Sequence, residues 1–179
     1  MNYATIKKND IANGPGVRVS LFVSGCRHRC KGCFNIEAWD FDYGAPFTEQ
    51  VAEEVLIAAD HSYIEGLSLL GGEPFEPENQ SALADLTSKF KARCPDKTVW
   101  CYTGFTFDEI LQGKAGSIDT ATSLLKNIDV LVDGKFVEEL KDLSLIFRGS
   151  SNQRIIDVKK SLMAGEVCLL KGEWKRKYK

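Results

Sequence analysis

Short runs of β-branched and aromatic residues alternate along the chain with stretches of helical period, and no repeat or low-complexity tract interrupts them. The first run, VRVSLFVSG over 17–25, is predicted as the opening strand and leads straight into a polar loop. TEQVAEEVLIAADHS follows over 48–62, with Thr48 as a candidate cap, acids in the first turn, and Val51, Val55 and Ala59 on one face. GLSLLGG over 66–72 reads as the second strand. Pro77 then opens a helix whose Leu83, Leu86 and Phe90 share a face before Pro95 stops it. TVWCYTG over 98–104 is the third strand, a short helix begins near FDEI, and another spans about 120–128. DVLVDGKF is the fourth strand and LSLIFRGSSNQR, over 143–154, the fifth. The alternation predicts an α/β fold with right-handed crossovers: either an open doubly wound sheet or part of a barrel. A complete eight-stranded barrel takes about 250 residues, so 179 residues predict an incomplete β/α barrel of five to six mostly parallel strands.

A chain of this length with 44% hydrophobic residues can bury one core, so residues 1–179 are expected to form a single domain, with 171–179 as a basic tail. A net charge of -2 offers no basic field for nucleic acid, and no apolar stretch has the length of a membrane span. A cytoplasmic protein is expected, without nucleic-acid or membrane partners.

The polar interruptions share one position. The cysteine loop, Gly71-Gly72-Glu73, Tyr102-Thr103-Gly104, Asp133-Gly134-Lys135 and Arg148-Gly149-Ser150 each follow a predicted strand, at the carboxyl edge where α/β proteins build sites. The first is SGCRHRCKGCFN, which spaces Cys26, Cys30 and Cys33 as C-x3-C-x2-C. A Cys3His zinc site using His28 is the simplest reading, but it would crowd four ligands into eight residues where zinc sites draw on two separated segments. A cuboidal iron-sulfur cluster is a larger body that such a loop can embrace, and three thiolates leave one iron open. Arg27, Arg29 and Lys31 are expected to lower the thiol pKa values and temper the charge of an anionic cluster. Cys94, Cys101 and Cys168 fall within helix or strand patterns and read as core, and His61 as a helix-end residue.

Together these residues resemble the radical S-adenosylmethionine superfamily. NGPGVRVSLFVSGCRHRCKGCFN, GGEP, YTGF, VLVDGKF and FRGSSNQR resemble more narrowly the activating proteins of anaerobic (class III) ribonucleoside-triphosphate reductases, from about residue 2 to 154. The resemblance implies a [4Fe-4S] cluster on Cys26, Cys30 and Cys33, whose fourth iron is chelated by S-adenosylmethionine. It further implies reductive cleavage of that cofactor and formation of a glycyl radical on the large catalytic subunit of the reductase, with electrons from a flavodoxin-type donor. Gly71, Gly72 and Glu73 are then expected at the methionine moiety, where the two glycines let the backbone approach. The superfamily often places an aromatic residue before the third cysteine. Gly32 stands there instead, leaving adenine to the Gly32-Cys33-Phe34 backbone and the Phe34 ring. Asp133 and Lys135, two apart on an extended segment, are expected to address the ammonium and carboxylate; Arg148, Ser150, Asn152 and Arg154 are binding candidates with no assigned ligand. Three other readings stay open: an activase for another glycyl radical enzyme of the pyruvate formate-lyase type, a radical enzyme of deazaguanine synthesis, and a non-catalytic electron-transfer or zinc-binding module.

Overall fold

The computed structural model describes residues 1–172; the basic tail expected over 171–179 falls almost entirely outside the described residues. One mixed sheet of seven strands organises the chain, in the order β3-β1-β2-β4-β5-β6-β7. Its middle is parallel: β2 (Val17–Val23), β4 (Ile64–Gly71), β5 (Thr98–Tyr102) and β6 (Val130–Asp133), joined through α1 (Glu49–Asp60), α2 (Pro77–Arg93), and α3 (Phe107–Leu111) with α4 (Ile118–Leu125). Both flanks are antiparallel. β1 (Asn2–Asp10) pairs with β2, the two-residue β3 (Ala45–Pro46) with β1, and β7 (Arg154–Asp157) with β6 before α5 (Val158–Ala164).

The helices start where their caps predict. Thr48 accepts the Val51 N–H ahead of α1, Pro77 opens α2, and Thr106 and Glu109 form a reciprocal capping box on α3. All five α-helices contribute to one large core, which also takes Val19, Leu21, Val23, Leu67, Leu69, Val99, Cys101, Leu131 and Ile156 from alternate strand positions. The helices therefore cover a single face of the sheet, and the doubly wound alternative does not hold. The opposite face carries Arg18, Ser20, Ser68, Leu70, Trp100 and Tyr102. There, Trp100, Val130, Val132 and Ile155 form a smaller cluster with Phe147. The helices match the expected ranges closely; Cys94 and Cys101 are buried as expected, whereas Cys168 is only half-buried and lies beyond α5 in no helix or strand.

Two strand expectations change. β1 escapes sequence reading because Lys7, Lys8 and Asp10 break its apolar alternation; the strand exists because its backbone pairs with β2, Ile6 opposite Leu21. The fifth predicted strand, 143–154, is instead a folded-back loop. Asp142 accepts the Ser144 N–H, Phe147 sits at φ 58, and the Gln153 side chain accepts from both Gly149 and Ser150, so local polar contacts replace a ladder. The edge strand begins only at Arg154. Among the described residues no helix is long and apolar enough to cross a membrane.

Candidate active site

A cavity of about 470 Å³ opens at the carboxyl rim of the parallel strands, on the helix-free face. Cys26, Cys30 and Cys33 line it together with Gly32 and Phe34 from the same loop. The loop is shaped by backbone turns at Arg29 (φ 47) and Gly32 (φ 73), and by the Cys33 N–H donating to the Cys30 carbonyl. Its base is fixed by a short 3-10 turn, Ile36–Trp39: the Gly25 N–H donates to the Ala38 carbonyl and the Cys26 N–H to that of Trp39.

The electrostatics reverse one expectation. Burial, followed by the Glu73 charge, pushes the Cys26 thiol up to about 11, and burial also raises Cys30. Arg27 and Lys31 do not lower them, because Arg27 is paired with Glu76 and Glu78 and stacked on Phe41, while Lys31 is paired with Glu138 and Glu139; the Lys135 charge draws Cys30 down, but less than burial raises it. The sulfurs are partly compensated by backbone instead: the N–H groups of His28 and Arg29 favour the Cys26 thiolate, and that of Phe136 the Cys30 thiolate. Neutral thiols that already face N–H donors suit a metal that displaces their protons on binding. Three thiols lining one cavity, each reached by a backbone N–H (that of Asn35 in the case of Cys33), fit an iron-sulfur cluster. Among the described residues, no group of three or more His, Cys, Asp or Glu side chains is poised around a single metal ion.

Gly71, Gly72 and Glu73 line the same cavity. The reason for the glycines is internal. Gly71 sits at φ 113, and a Cβ there would stand 2.6 Å from the Val23 nitrogen; a Cβ on Gly72 would stand 2.5 Å from the Gly25 carbonyl oxygen and 2.7 Å from that of Ala38. Both positions are thus closed by backbone at the foot of the cysteine loop. The Glu73 carboxylate is buried and fully engaged: Oε1 accepts from the Phe75 N–H and the Thr103 hydroxyl, and Oε2 from the Gly104 N–H. It ties the ends of β4 and β5 together.

Asp133 and Lys135 are not brought to the cavity. The strand ends at Asp133 and Gly134 turns at φ 97, so the alternation that would aim both side chains the same way does not continue. Asp133 is buried in an ion pair with Arg154 and accepts the Phe107 N–H, while Lys135 is exposed. The Arg-Gly-Ser-Ser-Asn-Gln-Arg stretch serves this turn: Asn152 donates to the Lys135 carbonyl, Gln153 to that of Gly134, and the Ser150 hydroxyl accepts the Val137 N–H. Of its members, Arg148, Gly149 and Gln153 reach the cavity, as do Gly134 and Phe136. Arg154→Met should leave Asp133 buried without its cation and cost roughly 3 kcal/mol, read as a lower denaturation midpoint; an unchanged midpoint would show that the pair carries no stability. Sequence reading also missed Asn13, Trp39, Lys141 and Leu143 as lining residues. The NGPG motif marked the first; for the others no local signal existed.

A cysteine-lined cavity at the rim of a helix-backed parallel sheet defines an iron-sulfur protein of the α/β class, and a family profile described as a 4Fe-4S single cluster domain matches residues 12–156. The chain is 43% identical over 155 residues to the anaerobic ribonucleoside-triphosphate reductase-activating protein of Escherichia coli (strain K12), an overlap of 86% of this chain and 96% of that protein. It is 43% identical over 157 residues to the protein of the same name from Vibrio cholerae (87% and 97% of the two chains), and 42% identical over 155 residues to that of Enterobacteria phage T4 (87% and 93%). The chain belongs to the family of anaerobic ribonucleoside-triphosphate reductase-activating proteins.

Proposed function

We propose that the protein holds a [4Fe-4S] cluster by Cys26, Cys30 and Cys33, binds S-adenosylmethionine beside it, and generates a glycyl radical on the large subunit of an anaerobic ribonucleoside-triphosphate reductase. The observation that carries this reading is that all three thiols and the Gly71-Gly72-Glu73 turn line one cavity, with room beyond the cysteines for a second ligand. When bound, the reduced cluster supplies the electron that cleaves the sulfonium carbon–sulfur bond. The chain's own residues bind and orient. Gly32, Cys33 and Phe34 offer a wall for adenine, and the Gly71-Gly72 backbone offers one for the methionine moiety. Arg148 and Lys141 line the cavity and Lys135 does not, so they are better placed to meet the methionine carboxylate. Helices on one face and the site at the carboxyl rim support reading the sheet as an open, partial barrel. A flavodoxin-type donor would find Arg29 rather than Arg27 or Lys31, which bring their own acids. This oxygen-sensitive chemistry suits the reducing cytoplasm.

Protein purified without oxygen should contain iron and sulfide, its cluster spectrum should change on adding S-adenosylmethionine, and the reductase should then show a glycyl radical by electron paramagnetic resonance. Zinc without iron, or a cluster indifferent to S-adenosylmethionine, would end the reading.

Entry of a glycine loop requires an accessible apolar mouth. Phe34 is 85% and Leu143 90% exposed, and both line the cavity. Leu143→Glu, which leaves the adenine wall intact, should therefore lower radical yield on the reductase roughly tenfold, a loss on the scale of an interface anchor. Cluster content should stay the same. Full yield would place the partner elsewhere.

A further inference from the structure

The cysteine loop, the Gly-Gly-Glu turn and the Tyr-Thr-Gly turn meet at one side chain. His28 lies midway between Cys26 and Cys30, flanked by exposed Arg27 and Arg29, yet only 9% of its own side chain is accessible. Its ring is enclosed on three sides. Phe105 packs against it edge to face, with centroids 4.5 Å apart. Nε2 lies 3.0 Å from Glu73 Oε2, without the alignment of a linear hydrogen bond. Gly104 closes the third side: a Cβ there would come within 2.3 Å of His28 Cδ2, and the three nearest atoms it would meet all belong to this ring. The socket does not yield readily, because Glu73 is held by Phe75, Thr103 and Gly104.

We propose that His28 is a positioning residue that plugs the cysteine loop into a socket at the ends of β4 and β5, and that residue 104 is glycine because the imidazole occupies the space of its Cβ. The proposal rests on the reading that Cys26, Cys30 and Cys33 carry the cluster. A flat ring fits between Phe105 and Gly104, and its polar edge meets the buried carboxylate; an aliphatic side chain would leave Glu73 Oε2 facing hydrocarbon. The neighbouring tie, from the Arg27 N–H and guanidinium to Glu76, reaches the start of α2 rather than the rim. His28 is two residues from each of two ligands, so moving its ring moves both thiols.

The test is a double-substitution cycle on the reconstituted protein, reading decay of iron–sulfur absorbance under a chelator alongside the thermal unfolding midpoint. His28→Ala and Gly104→Ala should each speed cluster loss roughly tenfold, as removing a group that orients metal ligands does. The double variant should lose its cluster no faster than His28→Ala alone, since alanine at 104 is harmless once the ring is gone, and the midpoints should be non-additive in the same way. Independent sites would multiply to roughly a hundredfold. That result, or His28→Ala retaining its cluster like the unsubstituted protein, overturns the latch. If the cluster reading itself were wrong, the unsubstituted protein would take up no iron–sulfur cluster, which overturns both.

Discussion

Replacing any one of Cys26, Cys30 or Cys33 with alanine is expected to abolish the cluster and all activity, whereas the same change at Cys94 or Cys168 leaves iron content intact. The difference lies in where the sulfurs face. The first three share one cavity, and backbone N–H groups favour the thiolates of Cys26 and Cys30. Cys94 closes α2 with its thiol 3.6 Å from Asp60, and Cys168 donates its backbone N–H to Ser161; neither lines that cavity. On the proposed ligation one iron already lacks a protein ligand, so losing a cysteine would remove a further anchor. Iron and sulfide analysis of the five variants decides the matter: comparable iron loss from both groups would refute the assignment.

Gly72→Val is expected to lose the cluster as well as S-adenosylmethionine binding. If glycine served only to let a ligand approach, the substituted protein would keep its cluster and fail only with the cofactor. The structure points to the harsher result. A Cβ at this position meets two carbonyl oxygens, of Gly25 and Ala38, and backbone cannot rotate away as a side chain can. The Gly72 N–H also donates to the Val23 carbonyl at 2.7 Å and the Glu73 N–H to that of Gly25 at 2.8 Å, so the turn and the foot of the cysteine loop must move together. Overpacking of this kind costs roughly 3 kcal/mol, and in a chain of this size lowers the melting midpoint by about 6–12 °C. A variant with a normal midpoint and a full complement of iron that fails only to bind S-adenosylmethionine would restore the simpler role.

The contrast between Cys26 and Asp133 shows what could be read in advance. Thiol spacing is a local property: three cysteines within eight residues must share a neighbourhood wherever the loop goes, and the strand that ends at Val23 fixes that place at the carboxyl rim. Helix starts were legible for the same reason, since the Thr48 hydroxyl acts on a backbone group three residues away and Pro77 presets its own backbone at the first helical position. Asp133 looked equally informative, two residues before a lysine at a strand end. Its partner, however, is Arg154, 21 residues along the chain, and only the antiparallel pairing of β7 with β6 brings that guanidinium to it. Glu73 and Gly104 were flagged as rim residues, but that the carboxylate would be spent on Thr103 and Gly104, and that the glycine would make room for His28, depended on the parallel register of β4 with β5. β1 needed β2 before its charged sequence could be a strand at all. That the three cysteines share one neighbourhood, where the helices begin and which rim carries the polar turns were legible in the sequence, because each rests on contacts a few residues long. Which polar groups remain available to a ligand there, and which are consumed in holding the rim together, was decided by strand pairing between distant segments, which no local pattern encodes.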